Sequence, residues 1–170
     1  MKKNDYKIKR LYMADWPDLK AIRLEALKQD PQFFLRRYED DRLEGDAFWQ
    51  KSFADAALVD RAIFGLYDGN KIIGMGGVSP DQDYKNAARL GGGYISKAYR
   101  GQGLAHVLIS ARIDWAKANP AYDCIYLSHR RGNKPSQAVA EKAGFQYVMD
   151  KNIQWPDGQN DAEWIYVLKF

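Results

Sequence analysis

At 170 residues, 46% of them hydrophobic, with a net charge of only +4, the chain has the size and composition of one globular domain, expected to span residues 1–170. No run approaches the roughly 18 uncharged apolar residues of a membrane span, and the first residues lack the apolar core of a signal peptide, so no membrane partner and a reducing, cytoplasmic setting are expected. The single cysteine, Cys124, rules out an intrachain disulfide, and with two histidines it is too little for a structural zinc site, so no metal is expected.

Residues 7–12 alternate weakly and predict a first, edge strand. Asp15-Trp16-Pro17-Asp18 opens a helix, with Asp15 as N-cap and Pro17 in the first turn. Leu19, Ile22, Ala26 and Leu27 give its apolar face, and Asp30-Pro31 ends it. Residues 31–45 have no clean period: Phe33, Phe34, Leu35 and Tyr38 interleave with Arg36, Arg37 and the acidic run Glu39-Asp40-Asp41, which reads as a loop or a mobile helical segment. A second helix follows over about residues 46–57, capped by Asp46, with Phe48, Trp49, Phe53 and Ala57 inward. Residues 61–67 and 71–78 read as antiparallel strands joined at Asp68-Gly69-Asn70, the second bent at Gly74, Gly76 and Gly77. Residues 79–87 form a polar loop.

The next stretch organises the rest. Residues 90–95 are strand-like but carry Gly91, Gly92 and Gly93, which weaken a strand and so predict a bulge or the close approach of a backbone or ligand. The strand runs into Tyr99-Arg100-Gly101-Gln102-Gly103-Leu104-Ala105, where two glycines permit positive φ and expose consecutive backbone N–H groups. A helix begins at about Gly103, with Leu104, Val107, Leu108, Ala111 and Trp115 on one face, and Asn119-Pro120 closes it. Free N–H groups at a helix start, together with the helix dipole, make an anion site, and Arg100 adds a positive charge beside it. This turn should hold a phosphate or pyrophosphate. The charge distribution agrees: residues 1–85 carry 15 basic and 15 acidic side chains, residues 86–170 carry 11 and 7. A polyphosphate ligand explains that bias, and so does a nucleic-acid surface or a solvated charged face.

Residues 123–128 predict a buried strand that returns from the helix, closing a right-handed, parallel β-α-β unit. His129-Arg130-Arg131-Gly132-Asn133-Lys134 reads as a basic loop, and Pro135 starts a short helix with Ala138, Val139 and Ala143 on its weak apolar face and Gly144 just past its end. Residues 145–153 and 163–170 are two more strands, joined by the turn-rich residues 154–162.

The Walker pattern is absent, and the dinucleotide pattern fails because His106 stands where its last glycine belongs. What fits is R-x-x-G-x-A, filled by Arg100, Gly103 and Ala105. Here the chain resembles the GCN5-related N-acetyltransferases, the GNAT family, whose acetyl-CoA motif [RQ]-x-x-G-x-[GA] lies at this strand-to-helix turn. The element order β α α β β β α β α β β extends the resemblance over nearly the whole chain. The resemblance implies a mixed α/β, α+β-like fold: a central, mostly antiparallel twisted sheet with one parallel β-α-β unit, splayed central strands and helices on both faces. It also implies an acetyl-CoA-dependent N-acetyltransferase in which a primary amine of a small molecule or peptide attacks the thioester directly. Acetyl-CoA, as co-substrate, would run past Ile95, Ser96 and Lys97 in the splay. Its pyrophosphate would sit on Arg100, Gly101, Gln102, Gly103, Leu104 and Ala105, with Asn133 and Ser136 beside the pantetheine arm. The Ile95 N–H is the candidate donor to the developing oxyanion. Relatives are often homodimers through their C-terminal strands, and the aromatic residues 164–170 would allow it.

The chain also departs from the family. In N-x-x-A-x-x-x-Y-x-x-x-G-F, Asn133, Gly144 and Phe145 fit, but Ser136 replaces the alanine and Ala140 replaces the tyrosine thought to protonate the departing thiolate in relatives. Ser96, Lys97 and Ala98 occupy the ground where relatives often carry an acidic base. His129 is the substitute acid with the right titration range, although it also reads as a solvated loop histidine; Tyr94 and Tyr126 are the other two choices, with core packing as their competing reading. His106 is expected at the surface and Cys124 in the core. Phe33, Phe34, Tyr38, Trp49 and Trp155 could line the acceptor wall, with Asp40, Asp41 or Glu44 attracting a cationic amine, or the same aromatics could fill the core. Two other classes compete: a GNAT-fold module that binds acyl-CoA with little or no catalysis, which Ala140 favours, and a basic nucleic-acid-binding domain. The even charge mixture of residues 1–85 and the lack of a recognition-helix pattern count against the latter, so no nucleic acid is expected.

Overall fold

Seven strands form one sheet: β1 (Tyr6–Leu11), β2 (Ala62–Asp68), β3 (Lys71–Pro80), β4 (Ala87–Ile95), β5 (Cys124–Arg130), β6 (Gln146–Gln154) and β7 (Asn160–Lys169). In the computed structural model, which describes residues 5–56 and 59–170, their order is β1-β2-β3-β4-β5-β7-β6, and only β4 and β5 run parallel. The helices are α1 (Trp16–Gln29), the single turn α2 (Tyr38–Asp41), α3 (Asp46–Ala56), α4 (Leu104–Ala118) and α5 (Lys134–Lys142). Strand alternation sends successive side chains to opposite faces and so builds two cores. Phe64, Leu66, Ile73, Ile95, Ile125 and Leu127 pack with Leu104, Leu108, Ile109, Ile113 and Ala140 on the α4–α5 side. Tyr67, Met75 and Tyr94 meet Leu19, Ile22, Ala26, Leu27, Phe34 and Phe53 on the α1–α3 side. Ile22 and Leu27 are 1% and 0% exposed, so each contributes about 1.5–3 kcal/mol by burial. The mixed sheet with helices on both faces is the architecture the resemblance implied.

The parallel pairing is short. Residues 87–90 of β4 match residues 124–127 of β5, and then the two strands part. The cause lies on the other side of β4. Gly91 pairs with Gly77 and Tyr94 with Met75, so Gly92 and Gly93 stand opposite Gly76 alone. This is a β-bulge, and its extra residue bends β4 out of line. Gly92 adopts φ +61°, which explains the glycine there. β5 meanwhile stays paired to β7 as far as Arg130 with Glu163. A fork opens between the two central strands, as the resemblance implied, and the bulge beside it is one of the two outcomes the glycine run suggested.

Several local expectations shift. Asp15 holds the N-cap position of α1, but its carboxylate accepts the Tyr12 N–H (2.8 Å) and Lys9 Nζ (2.5 Å), serving the turn before the helix. Residues 31–45 contain a 3-10 turn, Pro31–Phe33, and α2. β4 starts at Ala87, inside the expected polar loop. β5 continues through His129 and Arg130, which were expected in a basic loop, because β7 supplies partners for both. Both side chains are buried. The buried stripe of α4 includes Ile109, Arg112 and Ile113, while Val107 is 48% exposed; a purely apolar periodicity passes over Arg112. In α5 it is Ala140 that is buried, and Ala138 is exposed. Trp49 is buried in α3 as expected, Phe48 is half-buried, and Ala57 lies outside the described residues. Cys124 is half-buried. The aromatic C-terminal strand runs inside the sheet between β5 and β6, so the free edge at that end belongs to β6. Among the described residues no helix is long and apolar enough to cross a membrane.

The glycines of β3 and β4 differ in what constrains them. A Cβ at Gly74 would lie 2.9 Å from the Tyr94 carbonyl oxygen and 2.7 Å from Ile95 Cδ1, whereas a Cβ at Gly91 meets nothing within 4 Å. Gly74→Ala is expected to cost about 1–3 kcal/mol by forcing the strands apart, and Gly91→Ala less than about 0.5 kcal/mol. Urea unfolding of the two variants checks this.

Candidate active site

Past Ile95 the chain passes through a 3-10 turn, Lys97–Tyr99, into α4. Gly101 and Gly103 adopt φ of +76° and +78°, and a Cβ on either would meet nothing within 4 Å, so conformation and not crowding demands glycine. The N–H groups of residues 101–105 have no acceptor among the described residues; the first to turn back is that of His106, donating to the Gly103 carbonyl at 3.0 Å. Five consecutive free donors at the positive end of a 15-residue helix have the geometry that suits an anion. His106 is half-buried, not a surface residue, and its Nδ1 is shielded and unpartnered among the described residues.

Arg100 is committed elsewhere. Its Nε donates to the Ile95 carbonyl (2.9 Å), its Nη2 donates to Asp30 Oδ2 (2.5 Å), and its guanidinium lies 5.4 Å from the Tyr94 ring centroid. Lys97 Nζ donates to the Gln29 carbonyl at 3.2 Å. Both cations fasten the turn to the end of α1, so the positive charge expected beside the anion site is matched by Asp30.

Ile95 points its backbone into the fork. Ser96 N–H donates to the Ile73 carbonyl across the β3 ladder (2.8 Å). Antiparallel strands alternate the direction of their N–H groups, so the Ile95 N–H faces the other edge, where β5 has already left. The Ser96 hydroxyl is buried with no partner among the described residues. Beneath the bulge lies Arg112, 6% exposed. Its guanidinium fills the space next to Gly76 and Gly93, where a Cβ at Gly76 would come within 2.7 Å of Cζ. It donates at long range to the carbonyls of Leu108 (3.4 Å) and Gly91 (3.5 Å). Burial pulls its pKa down to about 10, so it remains a cation at neutral pH.

On the α4–α5 side, Asn133 caps α5, its Oδ1 accepting the Ser136 N–H at 3.3 Å. His129 stacks on Tyr166, ring centroids 5.2 Å apart. Its Nδ1 lies 3.0 Å from the Arg130 carbonyl oxygen, which can only accept, so Nδ1 carries the proton and Nε2 presents a bare lone pair. Nε2 is shielded and unpartnered among the described residues. Burial pushes the imidazole pKa below its ordinary value, partly opposed by the carbonyl hydrogen bond. The neutral ring is therefore an acceptor; the acid read from the sequence would need a second proton that burial opposes. Tyr94 donates to Glu25 Oε1 (3.0 Å), and burial with that carboxylate raises its pKa. Tyr126 stacks on Tyr84 at 4.1 Å, and burial raises its pKa as well.

The α1 side carries its own charges. Asp41, 2% exposed, accepts from Arg36 Nε (2.5 Å) and lies 3.9 Å from Arg23 Nε, so the acidic run does not present it to a ligand. Arg130, missed as a loop residue, donates to Asp161 (3.1 Å), Asp157 (2.6 Å), Gln159 (3.2 Å) and the Gln32 carbonyl (3.2 Å), over the Trp155 ring. It ties the β6–β7 loop to the segment after α1. Phe34, Trp49 and Trp155 are buried, Phe33 and Tyr38 half-buried.

His129 gives a test of this picture. A histidine whose folded pKa is lowered adds stability that is full above its unfolded pKa of about 6.5 and is lost as pH falls below it. The melting temperature should drop as pH falls below about 6.5, and His129→Asn should flatten that step, as read by thermal melts at descending pH.

A sequence profile of the acetyltransferase (GNAT) family matches residues 7–145. A search of curated proteins found no match. Among solved structures, an acetyltransferase of the GNAT family from Streptococcus pneumoniae superposes with a TM-score of 0.85 at 18% identity, covering 98% of this chain and 100% of that one. The ribosomal L7/L12 α-N-protein acetyltransferase RimL, in complex with coenzyme A, gives 0.80 at 15% identity, covering 97% and 94%. A ribosomal-protein-S5-alanine acetyltransferase from Vibrio fischeri gives 0.82 at 16%, covering 99% and 95%.

Proposed function

The chain belongs to the acetyltransferase (GNAT) family, and on that footing we propose that residues 1–170 act as one domain that transfers an acetyl group from acetyl-CoA to a primary amine by direct attack on the thioester. The observation that carries this reading is the union of two features on one strand: an Ile95 N–H aimed into the fork, and five free N–H groups on the turn that follows.

The chemistry needs three things from this chain. The pyrophosphate needs donors, and residues 101–105 supply them without a reorganisation cost. The carbonyl oxygen needs a donor as it gains charge, and the Ile95 N–H has the right exposure at the fork. The amine needs to be neutral when it attacks, against an ordinary pKa near 10. Ser96 and Lys97 flank the thioester arm, and Asn133 and Ser136 flank the pantetheine from the start of α5. His129 Nε2, facing the same side, is an acceptor suited to a pantetheine N–H. The leaving thiol has an ordinary pKa of about 8.5, so solvent can protonate it and the missing motif tyrosine at Ala140 need not abolish turnover. Positioning can then supply most of the rate. Two of the neighbouring folds act on ribosomal proteins, one named for α-N-protein acetylation, which puts peptide α-amines on the list of acceptors to try. A second reading, acyl-CoA binding without catalysis, is favoured by Ala140 together with a His129 whose free nitrogen, Nε2, carries no proton when the ring is neutral.

A free-thiol assay separates the two. With acetyl-CoA and a panel of an alanyl peptide, spermidine and kanamycin, turnover with at least one amine, confirmed by the mass of the acetylated product, is the expected result. Saturable acetyl-CoA binding with no thiol release on any of them would establish the binding module instead.

A further inference from the structure

Ser128 is the first β5 residue beyond the last parallel pair, Leu90 with Leu127, so it stands at the mouth of the fork. Leu127 packs on the α4–α5 side, and alternation turns Ser128 to the α1 side, as it turns Arg130 toward Gln32. The Ser128 hydroxyl donates to Glu163 Oε1 on β7 at 2.5 Å and accepts from Arg89 Nη1 at 3.3 Å. Glu163 is half-buried and makes no ion pair with any described residue. The charged groups around it are committed or turned away. Arg130, its cross-strand neighbour on β5, is held by Asp157 and Asp161. Arg89 is held by Asp81 at 2.7 Å. Lys151, opposite on β6, is exposed, and His129, on the other face of β5, makes no hydrogen bond to Glu163 but feels its charge, which opposes the lowering of the imidazole pKa by burial. Asp18 and Glu25 are likewise half-buried and held by a hydroxyl, of Tyr67 and Tyr94; what sets Glu163 apart is that its hydroxyl, that of Ser128, stands at the mouth of the fork. A half-buried carboxylate with a hydroxyl but no cation beside it attracts a ligand that brings the positive charge.

We propose that Glu163, held by Ser128, receives the ammonium of the acceptor at the fork and takes its proton as the general base. This rests on the acetyltransferase reading above and gives its acceptor a class: an alkyl primary amine that arrives charged, and not a weakly basic arylamine. One nitrogen proton passes to the Glu163 carboxylate. The freed nitrogen bonds to the thioester carbonyl carbon, and the carbon–sulfur bond breaks with its electron pair on sulfur. The thiolate takes the second nitrogen proton through solvent, and Glu163 returns the first to water. Base and leaving group then lie on opposite faces of the sheet, with the fork between them.

The test compares wild type, E163Q and S128A over about pH 6–10, a range that spans free and protonated alkylamines. It uses whichever of the alanyl peptide, spermidine or kanamycin turns over, with 4-aminobenzoate as the arylamine. E163Q should lower kcat/KM for the amine by about 100-fold or more near pH 7. That deficit should shrink about tenfold per pH unit as the amine deprotonates itself, and the acetyl-CoA Kd should stay within about twofold. S128A should show a smaller deficit of the same pH shape. An E163Q profile parallel to wild type at every pH, whatever its height, would reduce Glu163 to a structural role and overturn the proposal; so would 4-aminobenzoate turning over as fast as the alkylamines. If wild type turns over none of them, the transferase reading itself fails, an outcome distinct from an insensitive E163Q.

Discussion

One extra residue in β4 sets up everything else. Because Gly92 and Gly93 stand opposite Gly76 alone, β4 bends, and its pairing with β5 ends after four residues on each side. Glycine adopts φ +61° at Gly92 without strain, and the missing side chain at Gly76 leaves room for the Arg112 guanidinium that braces the bend from below. The bend releases the Ile95 N–H from the sheet, and the turn through Gly101 and Gly103 that follows leaves the N–H groups of residues 101–105 without an acceptor among the described residues.

Charge is arranged so that the scaffold satisfies itself and the two faces of the fork do not. Arg100 and Lys97 bind the end of α1, Arg130 binds the β6–β7 loop, and Asp41 is held by Arg36. These partly buried pairs fix geometry more than they add stability, since desolvation offsets much of the Coulomb gain. Several groups near the fork are left for a ligand: backbone donors on the turn, the Ser96 hydroxyl and the His129 lone pair have no partner among the described residues, and the Glu163 carboxylate has the Ser128 hydroxyl but no cation. Each is a group that the folded chain holds ready at some cost, and such groups concentrate where a ligand completes them.

The glycine turn into α4 was legible because its signals are local: two glycines with positive φ, a strand before and an amphipathic helix after. The fold class was legible for the same reason, since period and turn chemistry mark each element. The rest depends on contacts that no local window contains. His129 and Arg130 look like loop residues beside Arg131 and Gly132, and only β7, more than 30 residues on, makes them strand. Arg112 looks like a surface cation on a helix until the glycines of β3 and β4 give it a buried slot. Asp41 looks like a lure for an amine in an acidic run, yet Arg36 and Arg23 claim it. Ser128 and Glu163 meet only because β5 and β7 are neighbours, and the period-2 alternation of a correctly bounded β5 is the one sequence signal that would have placed Ser128 and His129 on opposite faces.

The most direct test of this account is calorimetric titration of acetyl-CoA into the wild-type protein and into Gly103→Asp. Asp tolerates the left-handed backbone better than most residues and suits a helix start, so the fold should survive while a negative charge enters the anion site. The account predicts saturable micromolar binding to wild type and at least about tenfold weaker binding to the variant, a difference of about 1.4 kcal/mol, with cooperative unfolding retained and a melting temperature lowered by only a few degrees by the strained turn. Absence of heat and of any thermal shift at millimolar acetyl-CoA, or equal affinity in the two proteins, would contradict it.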